Sequence, residues 1–302
     1  MIALEKTAGM TDIILQDQDF RDLKDKVVLI TGGCSGIGLA TGLLAEENGA
    51  KVVVGDINPL PADVKIEGKN VTYLPLDVTS WDSQTSFFKK ANELHGRIDH
   101  VFANAGVSPT SNFLDEILNE SGELQQPSYG SFEINQKGVM NTTILALHYM
   151  KKQPSGGSIV IGASIAAIIP FPELDYSVAK HAVFGFMRSV AHNLRVLRPQ
   201  PNIRINALAP SWTATGMVPA ALADLGAAVQ PVSVVAPGAA LLMADGKRHG
   251  QTIVIHNSKC VEIGDELLRA VTKKMPEVEG PECLGVFENM RDWATYSGQG
   301  EK

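Results

Sequence analysis

Short β-branched runs alternate with longer stretches of helical periodicity along most of the chain. Residues 27–31 (Val-Val-Leu-Ile-Thr) form an apolar run that stops in glycines, and 36–47 repeats its apolar positions at helical spacing. The same reading predicts strands at 51–56, 71–76, 99–104, 157–163, 203–208 and 252–256, with helices at 80–94, 132–152 and 176–198. Strands that alternate with helical crossovers pair in parallel and are covered on both faces. The expected fold is therefore α/β: one doubly wound domain with a seven-stranded parallel sheet. Residues 119–129, rich in Gly, Ser, Gln and Pro, break this rhythm and read as a surface insertion. The division that follows is an amino-terminal extension over 1–25, the domain over 26–264 and an appendage over 265–302, with a helix expected at 266–274.

Composition narrows the field. A chain of 302 residues with 44% hydrophobic and 20% charged positions can bury about three quarters of its unfolded surface, so it is not disordered throughout. The net charge of -7, without a compensating basic block, argues against nucleic acid as a partner. Three cysteines, Cys34, Cys260 and Cys283, give an odd count without a CxxC pair, which fits a reducing compartment better than a disulfide framework or zinc site. The seven histidines lack ligand spacing, so no metal is expected. The apolar runs at 159–171 and 232–244 are shorter than the roughly 20 residues needed to cross a bilayer. Glu5, Lys6 and Asp12 interrupt the apolar residues at the amino terminus. A cytoplasmic protein without a membrane partner is expected.

Chemistry concentrates in three places. The turn Gly32, Gly33, Cys34, Ser35, Gly36, Ile37, Gly38 lies between the first strand and its helix. There, glycines let the backbone approach a pyrophosphate, and the helix N-terminus offers unpaired N–H groups. Asp56, followed by Ile57, ends the second strand, where a carboxylate can accept hydrogen bonds from adenosine ribose hydroxyls. It would repel a 2′-phosphate, and no Lys or Arg stands in the turn to offset it, so NAD is favoured over NADP. Tyr176 and Lys180 share one helix face, one turn apart, a spacing that a surface pair would also satisfy. Their position after Ser164, at the carboxyl edge of the fifth strand, makes them a site. An ammonium near the phenol would bring its pKa down from about 10 toward neutrality.

With these residues in order, the sequence resembles the short-chain dehydrogenase/reductase family from about residue 26 to 263. The glycine turn, Asp77-Val78, Asn104-Ala105-Gly106, Asn135, Ser164 and Tyr176-x-x-x-Lys180 carry the likeness. The stretches 146–157, 171–174 and 249–253 look like a fungal branch similar to 15-hydroxyprostaglandin dehydrogenase. The resemblance implies a Rossmann-type fold with Tyr176 as the acid/base and Ser164 holding the substrate oxygen. It implies that Lys180 binds the nicotinamide ribose and tunes Tyr176, and that Asn135 holds a relay water. Asp77 and Val78 would meet the adenine, Asn104 to Gly106 would border the cofactor, and Thr213 would bond the nicotinamide amide beyond Pro210, with Thr215 nearby. Two positions depart from the family: Ser211 replaces a usual Gly, and the Ser164–Tyr176 interval is one residue shorter than the commonest spacing.

These readings imply an NAD-dependent enzyme interconverting a hydrophobic secondary alcohol and its ketone, by preference in the oxidative direction and plausibly in secondary metabolism. Ser108, Pro109, Ile165, Ala166, Phe171, Trp212, Met217 and Val218 are the expected pocket. The alternative is a cofactor-binding scaffold or a non-redox cyclase on the same fold. Apolar surface on the helices at 132–152 and 176–198, from Ile144, Leu145, Leu147, Tyr149, Met150, Ala179, Ala182, Val183, Phe186, Val190 and Leu194, exceeds what one contact with a sheet needs. A homodimer or homotetramer burying these helices is expected.

Overall fold

The computed structural model describes residues 12–264 apart from Arg198 and Ala220. The appendage expected over 265–302, with its helix and Cys283, and residues 1–11 of the amino-terminal extension lie outside the described residues. Thr11–Glu262 form one compact unit.

The strands are β1 (Val27–Thr31), β2 (Lys51–Asp56), β3 (Val71–Pro75), β4 (His100–Ala103), β5 (Gly157–Gly162), β6 (Ile203–Pro210), β7 (Thr252–His256) and β8 (Lys259–Glu262). They lie in the order β3-β2-β1-β4-β5-β6-β7-β8, all parallel except the β7–β8 pair. The fold is the expected Rossmann-type α/β sheet with one strand more than the seven predicted. β8 turns back through Asn257 and Ser258, both at positive φ (49° and 60°), and this two-residue hairpin lets so short a strand pair. Ile13 extends the same edge, its N–H donating to the Cys260 carbonyl at 2.7 Å.

Helices α1 (Gly36–Glu47), α2 (Trp81–His95), α3 (Val139–Met150), α4 (Leu174–Val196), a single turn α5 (Ala221–Asp224) and α6 (Val232–Ala244) supply the crossovers. Successive strand residues point to opposite faces, and β1 shows it. Val27 and Leu29 join one core with Phe87, Phe88, Met150, Val183 and Met187, whereas Val28 and Ile30 join the other with Leu208, Leu242 and Met243. Phe20 and Leu23, from a 3-10 turn at Asp17–Leu23, pack into that second core. The long helix expected at 132–152 divides into a π-helical turn, Phe132–Gly138, followed by α3. The apolar run at 232–244 is α6, almost wholly buried. Among the described residues no helix is long and apolar enough to cross a membrane.

The chain runs β1-β2-β3 to one side and continues through β4 on the other. This reversal opens a crevice beyond the carboxyl ends of β1 and β4, the place where open α/β sheets bind ligands.

Candidate active site

The glycine turn is built by contact as well as by conformation. Gly32 has φ +65°, and a Cβ there would stand 2.8 Å from the Ala105 Cα. Asn104 closes the turn from β4: its Nδ2 donates to the carbonyls of Thr31 (3.2 Å) and Gly32 (3.0 Å), while the Thr31 hydroxyl accepts from the N–H groups of Asn104 and Ala105. α1 begins at Gly36 without a side-chain cap, so its first N–H groups face the crevice unpaired. Asp56 reaches the same turn, its Oδ2 accepting the Cys34 N–H at 3.2 Å and its Oδ1 the Asn58 N–H at 3.1 Å.

A groove of about 350 Å³ follows from these contacts. Gly32, Ser35, Gly36, Ile37, Asp56, Ile57, Asp77, Val78, Asn104, Ala105, Gly106 and Thr215 line it, and among the described residues no Lys or Arg does. Of the other expected cofactor contacts, Tyr176, Lys180, Pro210 and Thr213 line the neighbouring spaces, whereas Cys34 and Gly38 line none of them. The Cys34 side chain is buried in the core, where burial, with the Asp56 charge adding to it, pushes its thiol up to about 12. Gly38 packs under the carbonyl oxygen of Gly32. Both shape the turn: the Cys34 side chain anchors it in the core, and Gly38 leaves free the space that a Cβ would take from the Gly32 carbonyl and the Asn104 amide. The groove suits a dinucleotide: a backbone cradle for phosphates, a carboxylate for a ribose and an apolar slot at Val78 and Leu76 for a base.

Beside it lies a cavity of about 440 Å³ lined by Ser108, Pro109, Ser164, Ile165, Phe171, Tyr176, Trp212, Met217 and Val218, with Pro210, Ser211 and Thr213 at its back. Ala166, expected in this wall, is instead fully buried in the 3-10 turn Ile165–Ala167. Ile37, Thr215 and Met217 border both spaces. Tyr176 and Lys180 meet a small connecting void with Gly106 and Pro210.

Lys180 is 4% exposed; its Nζ donates to the Gly162 carbonyl at 2.8 Å and lies 5.5 Å from the centre of the Tyr176 ring. Burial brings its pKa down to about 8. The Tyr176 phenol moves the other way: burial raises its pKa, the Ser164 hydroxyl bonded to it opposes the rise, and the Glu173 carboxylate adds to it. The expected lowering by Lys180 is thus not met, because the ammonium sits by the ring and is turned to the Gly162 carbonyl. Asn135 lies fully buried in the π-helical turn. Its Oδ1 accepts the Val107 N–H at 2.7 Å and its Nδ2 donates to the Val107 carbonyl at 3.0 Å, placing it across Gly106 from Lys180. Thr213 is buried, its hydroxyl donating to the Ser211 carbonyl at 2.8 Å.

Sequence reasoning missed Glu173, the one charged side chain among the described residues lining the apolar cavity, and Leu222 and Leu225, which also line it. It also missed Asp175, fully buried behind the pocket wall. An acid in the first turn of a helix reads as a dipole partner, and no local pattern announced the contacts it makes.

A family model described as short chain dehydrogenase matches residues 26–226. The chain belongs to the short-chain dehydrogenase/reductase family. Dehydrogenase or reductase chemistry with a nicotinamide cofactor comes with that membership. The short-chain dehydrogenase/reductase ascJ of Acremonium egyptiacum is 43% identical over 284 residues, 93% of this chain and 94% of the relative. The 5'-hydroxyaverantin dehydrogenase of Dothistroma septosporum is 32% identical over 222 residues, 66% of this chain and 71% of the relative. A crystal structure of levodione reductase superposes with a TM-score of 0.64 at 27% identity, covering 78% of this chain and 97% of that one.

Proposed function

We propose that this short-chain dehydrogenase uses NAD to interconvert a hydrophobic secondary alcohol and its ketone, oxidation being the favoured direction. The observation that carries the reading is that two spaces share Ile37, Thr215 and Met217 as a common border: a groove fit for a dinucleotide on one side, and on the other an apolar cavity lined by Ser164 and Tyr176. In oxidation Ser164 holds the alcohol oxygen and Tyr176 takes its proton. A bound NAD would supply the hydride acceptor. Lys180 would hold the nicotinamide ribose, and Asn135 would hold a relay water toward Lys180. Asp56 supports NAD, since a 2′-phosphate would meet its carboxylate, with no Lys or Arg among the described residues lining the groove.

The largely apolar lining suits a terpenoid, steroid, fatty or polyketide alcohol, and the fungal relatives, one named for acting on a hydroxylated compound, support a role in secondary metabolism. A scaffold or cyclase without redox turnover is disfavoured by the assembled Ser164, Tyr176 and Lys180. The protein is proposed to act in the cytoplasm as a homodimer or homotetramer. Ile144 is 48% exposed and Val178 52%, whereas Leu145, Met150, Ala179, Val183 and Leu194 are buried in the core and add nothing to an interface. The decisive experiment offers NAD or NADP with a panel of hydrophobic secondary alcohols and follows absorbance of the reduced cofactor. Turnover with NAD supports the proposal, and turnover of none of the panel, nor of the ketones with NADH, refutes it.

A further inference from the structure

We infer that Asp175 is a positioning residue that fastens the wall of the substrate cavity to the catalytic helix and thereby sets KM for the alcohol. The inference rests on the reading of that cavity as the alcohol site. Asp175 immediately precedes Tyr176 and is fully buried. Its Oδ2 accepts three donors from one loop: the Thr110 N–H at 2.8 Å, the Thr110 hydroxyl at 3.0 Å and the Ser111 N–H at 3.0 Å. Its Oδ1 accepts the Tyr176 N–H at 2.7 Å. Thr110 extends the connection, its hydroxyl oxygen accepting the Ser131 N–H at 3.2 Å next to the π-helical turn that carries Asn135. Burial works to raise the Asp175 pKa, and the hydrogen bonds its carboxylate accepts, those from Thr110 foremost, outweigh it, leaving the carboxyl below its ordinary value.

The two sides of this junction differ in stiffness. α4 is 23 residues long and packed on the sheet, whereas the loop after β4 has no regular structure of its own from Asn104 to its isolated bridge at Leu118. Ser108 and Pro109, the residues just before Thr110, form part of the cavity wall. Loss of the junction therefore frees the wall while Tyr176 and the cofactor groove stay in place.

Asparagine at 175 keeps the shape but has one acceptor oxygen, so its NH₂ must face an N–H on one side whichever way it turns. In the full-length protein, Asp175→Asn is expected to raise KM for the best alcohol about tenfold, to change kcat less than about threefold and to leave the Kd for NAD within about twofold. Hydrogen exchange at the Thr110 and Ser111 amides should quicken. Thr110→Val, which removes one hydroxyl and keeps the shape, should move KM and exchange in the same direction by less, and it carries the test if Asp175→Asn does not fold. A merely structural role would lower the folded fraction, and so the apparent kcat, without changing KM. An unchanged KM in the folded variants overturns the inference, as does unchanged exchange at Thr110 and Ser111. A wild-type protein that turns over no alcohol or ketone instead refutes the functional reading, and the exchange measurement then decides the junction alone.

Discussion

Replacing Lys180 by methionine should make the protein inactive and more stable at neutral pH. The ammonium is buried, and its pKa falls from 10.5 to about 8, so it carries a charge at pH 7 that its surroundings disfavour. One pKa unit corresponds to about 1.4 kcal/mol, which puts the penalty at about 3 kcal/mol. Methionine has a similar reach and no charge. It leaves the Gly162 carbonyl, now bonded to Nζ at 2.8 Å, without that donor, at a cost of about 1–2 kcal/mol. The net gain of about 1–2 kcal/mol would raise Tm by roughly 2–8 °C.

The pH dependence separates this mechanism from ordinary repacking. Between about pH 8 and 10.5 the folded protein has released the Lys180 proton and the unfolded chain still holds it, so the unfolded state binds more protons and wild-type stability rises with pH. The methionine variant lacks this rise. Its advantage should be full at pH 7, shrink from about pH 8 upward, reverse between about pH 9 and 10, and above about pH 10.5 leave only the lost hydrogen bond. Urea titrations of both proteins without cofactor across this range measure the difference directly. A variant less stable than wild type at pH 7, or an advantage that does not shrink with pH, would refute the reasoning.

Asp56→Ala should narrow a preference for NAD over NADP that is at least about tenfold, or 1.4 kcal/mol, in the wild type; equal affinity of the wild type for both cofactors by calorimetry contradicts the role given to this carboxylate. Tyr176→Phe should remove nearly all turnover with little change in NAD affinity, and retention of more than about a tenth of the rate would move the acid/base elsewhere. Because burial holds the phenol protonated, oxidation by the wild type should quicken as pH rises and reduction as it falls, in initial-rate profiles; the opposite ordering would exclude Tyr176 as the titrating group. Light scattering at micromolar concentration should give a dimeric or tetrameric mass, and a monomeric mass would remove the helix-pair assembly.

What could be read from the sequence was what acts over a few neighbouring residues. The glycine turn, Asp56 at its strand end and Tyr176 one turn from Lys180 all announce themselves by short spacing, and the structure gathers them at the β1–β4 crevice. β8 did not, since Lys259–Glu262 has too few residues to alternate visibly and Asn-Ser is a weaker hairpin signal than Asn-Gly. α6 was hidden by the opposite fault: buried on nearly all sides and holding Pro237, it has no polar face from which a period could be read. Asp175 shows the same limit in the site, for its partners Thr110 and Ser111 lie some 65 positions earlier in the chain. Tyr176 shows where identity and energetics part. Spacing located both the phenol and the ammonium, but the state of each depends on how deeply the sheet and its loops bury them, and burial raises one pKa while lowering the other. Acid/base tuning in this site is therefore a property of the packed walls, including the loop that Asp175 fastens, as much as of the Tyr-Lys pair itself.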